Sequence, residues 1–101
     1  MDLAQLKTTV NLEEGRFELQ IDDNLAKIDF KKGSKGQFYL IHTEVPEALG
    51  SRGVGHKLVR EALDWVEQNG AKVVPLCPFV RSFLKQNLAD YKEIIEEGSK
   101  L

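Results

Sequence analysis

Phe17, Leu19 and Ile21 alternate with Arg16, Glu18 and Gln20, the two-residue period of a strand with one face buried. Asp22-Asp23-Asn24 supplies turn chemistry, after which Ala26, Ile28 and Phe30 alternate with Lys27, Asp29 and Lys31. Gly33-Ser34-Lys35-Gly36 makes a second turn. The next run, residues 37–45, is apolar at Phe38-Tyr39-Leu40-Ile41, which predicts a central strand covered on both sides. Connections this short favour an antiparallel meander, with a further short strand at 8–12 before it.

The period then changes. Val54, Leu58, Val59, Ala62, Leu63 and Val66 recur at three- and four-residue steps, with Lys57, Arg60, Glu61, Asp64, Glu67 and Gln68 between them. This predicts an amphipathic helix over 53–69, stopped by Asn69-Gly70. Residues 72–76 read as a short buried strand whose ladder Pro75 interrupts. Pro78 opens a short helix at 79–87, and another is expected at 89–97. Strand, helix, strand in succession is a βαβ unit with its two strands parallel. The expected fold class is therefore α+β: a mixed sheet, antiparallel in its first half and closed by one parallel pair.

With 101 residues the chain has the length of one domain, taken here as 1–101. No run approaches the ~18 apolar residues of a membrane span. The start, Met1-Asp2-Leu3-Ala4-Gln5-Leu6-Lys7, lacks the basic and apolar regions of a signal peptide, so a cytoplasmic location is expected. A single cysteine and two histidines leave no Cys/His set at zinc spacing, and no metal is expected. A net charge of -2 argues against a nucleic-acid-binding surface, which shows clustered basic excess.

The βαβ unit also predicts where a ligand would sit. Anions bind beyond the carboxyl ends of parallel strands, at the N-terminus of the following helix. That junction reads Gly50-Ser51-Arg52-Gly53-Val54-Gly55-His56-Lys57. Gly50, Gly53 and Gly55 allow close backbone approach, the N–H groups of residues 52–56 face a phosphate, and Arg52 adds a cation. The bland reading is a tight strand-to-helix turn. A P-loop fails, because His56 stands where its lysine is required and Leu58 follows Lys57. The dinucleotide fingerprint fails for want of its third glycine.

Three residues at this edge carry candidate chemistry. His42 and Glu44 lie two apart on one strand and face the same side. His42 is a candidate proton carrier, and Glu44 could act as a base. Cys77 falls just past the parallel strand. It could pair with His42 as an activated nucleophile, act as an acid, or simply fill a small apolar space.

Arg52-Gly53-Val54-Gly55-His56-Lys57-Leu58-Val59 resembles the pyrophosphate motif Q/R-x-x-G-x-G/A of the GNAT N-acetyltransferase superfamily. His42-Thr43-Glu44-Val45-Pro46 before it and Cys77-Pro78-Phe79-Val80 after it resemble the short branch of that superfamily, which is about 100 residues long. The resemblance covers residues 16–87. It implies acetyl-CoA as co-substrate between the two parallel strands, and an amine acceptor, small molecule or protein lysine. It also implies pantetheine pairing near Val45, and pyrophosphate on the Gly50, Ser51, Arg52, Gly53, Val54, Gly55 and His56 stretch. Phe79, Ser82 and Lys85 would flank the rest of the cofactor. Two departures stand out: Gly50 replaces the usual Gln or Arg, and the helices that precede the central strands in longer members are missing. An acyl-CoA-binding module without turnover is the alternative function. A monomer or a weak homodimer is expected.

Overall fold

The computed structural model describes residues 3–50 and 53–101. Alternation in the first half becomes β1 (Thr9–Asn11), β2 (Arg16–Ile21), β3 (Asn24–Lys32) and β4 (Phe38–Glu44), each antiparallel to its neighbour. Helix α1 (Val54–Gln68) carries the chain to β5 (Val73–Pro75), which pairs in parallel with β4. The sheet order is β1-β2-β3-β4-β5. Two short helices follow, α2 (Pro78–Gln86) and α3 (Leu88–Tyr91), and 3-10 turns occur at Leu3–Gln5, Glu47–Leu49 and Lys92–Ile94. No long helix precedes the strands among the described residues, which leaves the mixed sheet expected from the sequence in its minimal form.

The apolar positions of the strands and the stripe of α1 form one core. Phe17, Ala26, Ile28, Leu40, Leu58, Val59, Ala62, Leu63 and Val66 are all fully buried. Phe17 and Phe30 stack with ring centres 5.0 Å apart, and Trp65 of α1 stands edge-on to Phe17 and Phe38 at 5.7 and 5.5 Å. Such tilted and edge-on pairs stabilise beyond the area they bury. The α1 stop is a Schellman turn: Ala71 N–H reaches Val66 O, Gly70 N–H reaches Glu67 O, and Gly70 sits at φ +66°.

Two expectations are corrected. Strand β4 is not covered on both sides. A bulge between Asp29 and Phe30 on one strand leaves Ile41 of β4 without a partner opposite, and Ile41 is 39% exposed. The stretch 89–97 is not one helix. It breaks at Tyr91 into a 3-10 turn, because Ile95 bridges Val73 in parallel and Glu96 N–H bonds Val73 O at 2.8 Å. This tail covers the outer edge of β5 and satisfies ladder groups that would otherwise be open.

Candidate functional site

The bulge decides which side chains face the core at the end of β4. Before it, Phe38 and Leu40 are buried. Beyond it the count slips by one. Thr43 now lies opposite buried Ile28, while His42 lies opposite Asp29 and Glu44 opposite Lys27. Side chains opposite one another share a face of the sheet. Thr43 therefore looks toward the core, and exposed His42 and Glu44 look outward beside the Lys27–Asp29 ion pair.

Strands β4 and β5 part at the same place. Their pairing runs from Phe38 with Val73 to Leu40 with Pro75, and then stops. Pro75 closes β5, and the next two N–H groups, of Leu76 and Cys77, both bond to Leu40 O at 3.0 Å. Pro78, which has no N–H to satisfy, then opens α2. Leu40 and Cys77 thus form the apex of a wedge. From there β4 continues to Glu44, and among the described residues no strand lies beside it on the β5 side.

Cys77 is 4% exposed at this apex. Its thiol donates to Thr43 Oγ1 at 3.3 Å. The sequence suggested His42 as its neighbour, but the slipped count puts His42 on the opposite face. Thr43 is the site residue that sequence reasoning missed. Without the bulge, strict alternation from Phe38 and Leu40 would have turned it away from the core.

The mouth of the wedge is a cleft of about 310 Å³ lined by Val45, Gly50, Gly53, Gly55, His56 and Phe79. Gly53 is the cap of α1 at φ +74°, a conformation in which glycine meets no Cβ penalty. The first helical bond of α1 is Lys57 N–H to Gly53 O. The N–H groups of Val54, Gly55 and His56 consequently have no helical acceptor and carry the positive end of the helix dipole. Val54 contributes only this backbone, since its side chain is buried in the core. Gly55 lets the tip of the Phe79 ring come close to the helix start, since a Cβ there would lie 2.8 Å from Phe79 Cζ. Gly50, at φ -63°, is not demanded by its backbone, and a Cβ would meet Glu47 O only at 3.4 Å. The His56 ring sits 5.7 Å from Phe79 and 6.0 Å from Phe83.

Ser82 and Lys85 follow Phe79 at steps of three along α2 and are exposed, outside the cleft lining. Ser51 and Arg52 lie outside the described residues. Among the described residues no set of three or more His, Cys, Asp or Glu is placed to hold a metal ion, and no helix is long and apolar enough to cross a membrane.

Away from the wedge, two titrating groups on or against α1 are displaced. Burial, then the Asp64 carboxylate, pushes Tyr91 up to about 12. Its hydroxyl donates to Asp64 Oδ1 at 2.8 Å and accepts from Arg60 at 3.3 Å. Burial pushes Glu61 up, but hydrogen bonds from Lys57 and from the Thr8 backbone outweigh it, and Glu61 ends below the usual carboxylate range. Both are structural ties between α1 and its surroundings.

A sequence model described as GCN5-related N-acetyl-transferase matches residues 16–94. Protein NATD1 of Bos taurus and of Homo sapiens are each 36% identical to this chain over 58 residues, or 56% of the chain and 51% of either relative. Protein NATD1 of Danio rerio is 38% identical over 48 residues, 48% of this chain and 44% of that protein. The chain spans about half the length of the curated relatives it matches. The family match takes in all of the strands from β2 onward, the glycine turn, α1 and α2, and the chain belongs to the GCN5-related N-acetyltransferase family.

Proposed function

We propose that the chain binds acetyl-CoA in the wedge and transfers its acetyl group to an amine. The observation that carries this reading is the parting of β4 and β5 after Leu40, with Val45, just past the unpaired stretch of β4, lining one cleft with the Gly53 cap of α1 and Gly55. A strand edge without a partner offers backbone groups to an extended amide chain, as pantetheine is, and Val45 stands at the end of that edge. The pyrophosphate rests on the backbone N–H groups at the start of α1, those of Val54, Gly55 and His56, beside Gly50 and Gly53, and the family resemblance adds Ser51 and Arg52. Phe79 flanks the cofactor at the cleft, with Ser82 and Lys85 further along α2.

The thioester then lies between two sets of groups. On the outward face, Glu44 and His42 meet the incoming amine and accept its proton, directly or through water. On the core face, Cys77 lies by the leaving sulfur. Direct attack by the amine uses this division, with base and acid on opposite sides of the reacting carbon. Relay through acetyl-Cys77 would instead require the buried thiol to attack from the core side. The acceptor is an amine, either a small molecule or a protein lysine.

Thermal melting with acetyl-CoA and with CoA tests the reading. Ligand at 100 times its Kd should add about 2.7 kcal/mol of stability. The shift should vanish in Gly53→Glu, which sets a carboxylate where phosphate would bind and a side chain at positive φ, without steric clash. No shift in the wild type would remove the cofactor. A shift without release of CoA above background in the presence of an amine would leave an acyl-CoA-binding module.

A further inference from the structure

Thr43 occupies a position that the reaction has not yet used. It is half-buried, it follows the bulge on the core face of β4, and it stands where β4 has lost β5. Cys77 behind it is nearly closed to solvent, and its thiol donates to the Thr43 hydroxyl. With the thiol donating to Thr43 Oγ1, the hydroxyl's own proton is available to a group inside the wedge.

We propose that Thr43 is a catalytic residue that passes the Cys77 proton to the departing coenzyme sulfur, an inference that rests on the acetyl-CoA reading above. As the amine nitrogen bonds to the acetyl carbon, the C–S bond breaks and its electron pair stays on the sulfur. The Thr43 hydroxyl gives its proton to that sulfur and takes the Cys77 proton along the existing hydrogen bond. Cys77 is left as a thiolate, and once CoA has left, the proton lost by the acylated amine returns to it through the Thr43 hydroxyl, along the same hydrogen bond. The products are the amide and CoA thiol, with no other reactant consumed. The bulge at Ile41 makes this possible, since without the one-residue slip Thr43 would face away from Cys77.

The test compares Thr43→Val, of nearly the same volume, with Thr43→Ser. The probes are acetyl-CoA and hydroxylamine, an amine small enough to need no shaped acceptor pocket. Thr43→Val should lower kcat for CoA release by about a hundred-fold, the scale of one lost acid–base group. The melting shift with acetyl-CoA should stay as in the wild type. Thr43→Ser should restore most of the rate, and Thr43→Val with Cys77→Ala should be no slower than Cys77→Ala alone. The chain has one cysteine, and acetyl-CoA has no thiol. The infrared S–H band therefore reports Cys77 alone and should move to higher frequency in Thr43→Val. A wild-type rate in Thr43→Val, an unmoved band, or a serine variant as slow as the valine one overturns the relay. So does a wild type that acetyl-CoA stabilises but that releases no CoA, and this result leaves cofactor binding intact. Absence of any acetyl-CoA stabilisation overturns the cofactor reading itself.

Discussion

The two ends of β4 do opposite work. At its start, Phe38 packs among Phe17, Phe30 and Trp65 in an aromatic cluster. At its end, beyond Ile41, the strand has no β5 partner, and Val45 just past it lines a cleft with Gly53, His56 and a 39% exposed Phe79. Stability is concentrated at the first end, and the open backbone groups suited to a ligand lie at the second. The bulge is the boundary between them. The lesson is that one strand can anchor a core and open a cleft when a single unpaired residue separates the two tasks.

The largest test of that division is Phe17→Ala. Phe17 is fully buried and touches three other aromatic rings. Its removal should cost about 3–5 kcal/mol through lost burial and a cavity, a large share of what a small domain holds. Urea unfolding should show the midpoint fall with little change in slope. The fraction that remains folded should keep its response to acetyl-CoA. A loss of less than about 1 kcal/mol would mean that the aromatic end is not the anchor.

Gly55→Ala is the counterpart at the wedge. The new methyl group would press on the tip of the Phe79 ring, 2.8 Å away, and that ring can swing because it is partly exposed. Alanine in place of glycine near a helix start favours folding by up to about 1 kcal/mol, which offsets the displacement. The melting temperature of the free variant should stay within a few degrees of wild type, about 1 kcal/mol at most. The added stability from acetyl-CoA should drop, because the displaced ring closes on the cleft. If Gly55→Ala destabilised as strongly as Phe17→Ala, the proposed separation of roles would be wrong.

Much of this was legible in the sequence. Alternation over 16–31 gave β2 and β3, and the stripe from Val54 to Val66 gave α1, because these patterns record burial on one face. The glycine turn was legible because Gly53 needs its positive φ. The bulge was not, since Tyr39-Leu40-Ile41-His42 contains no glycine or proline to mark it. An apolar run with both parities filled looks like a doubly covered strand, whereas here one of those residues, Ile41, is the bulge. The identity of the residue beside Cys77 depended on that slip and stayed hidden with it. The close approach at Gly55 was hidden too, because it is set by Phe79, 24 positions along the chain. The tail misled for a similar reason, since Tyr91 and Ile95 follow tertiary partners, Asp64 and Val73, rather than helical periodicity.

Tyr91→Phe gives the smallest effect and sharpens the comparison most finely, because it alters α1 on a side that does not line the cleft. The hydroxyl bond to Asp64 contributes about 1 kcal/mol, so the variant should be less stable by that amount near neutral pH. The difference should then change with pH in a set direction. In the unfolded chain the phenol ionises near its ordinary 10, whereas burial and Asp64 hold it to about 12 in the folded protein. Between these values the unfolded state binds fewer protons than the folded one, so wild-type stability falls as pH rises. The fall should begin near pH 10 and be complete at about 12. Phenylalanine has no proton to lose, so the difference between the two proteins reports Tyr91. Urea unfolding at steps from pH 8 upward should therefore show the wild-type advantage constant at first, then shrinking above about 10. A gap that stayed constant to high pH would mean that Tyr91 does not hold its proton through this contact. Throughout, the acetyl-CoA shift measured near neutrality should match wild type, since no group that lines the wedge has been changed.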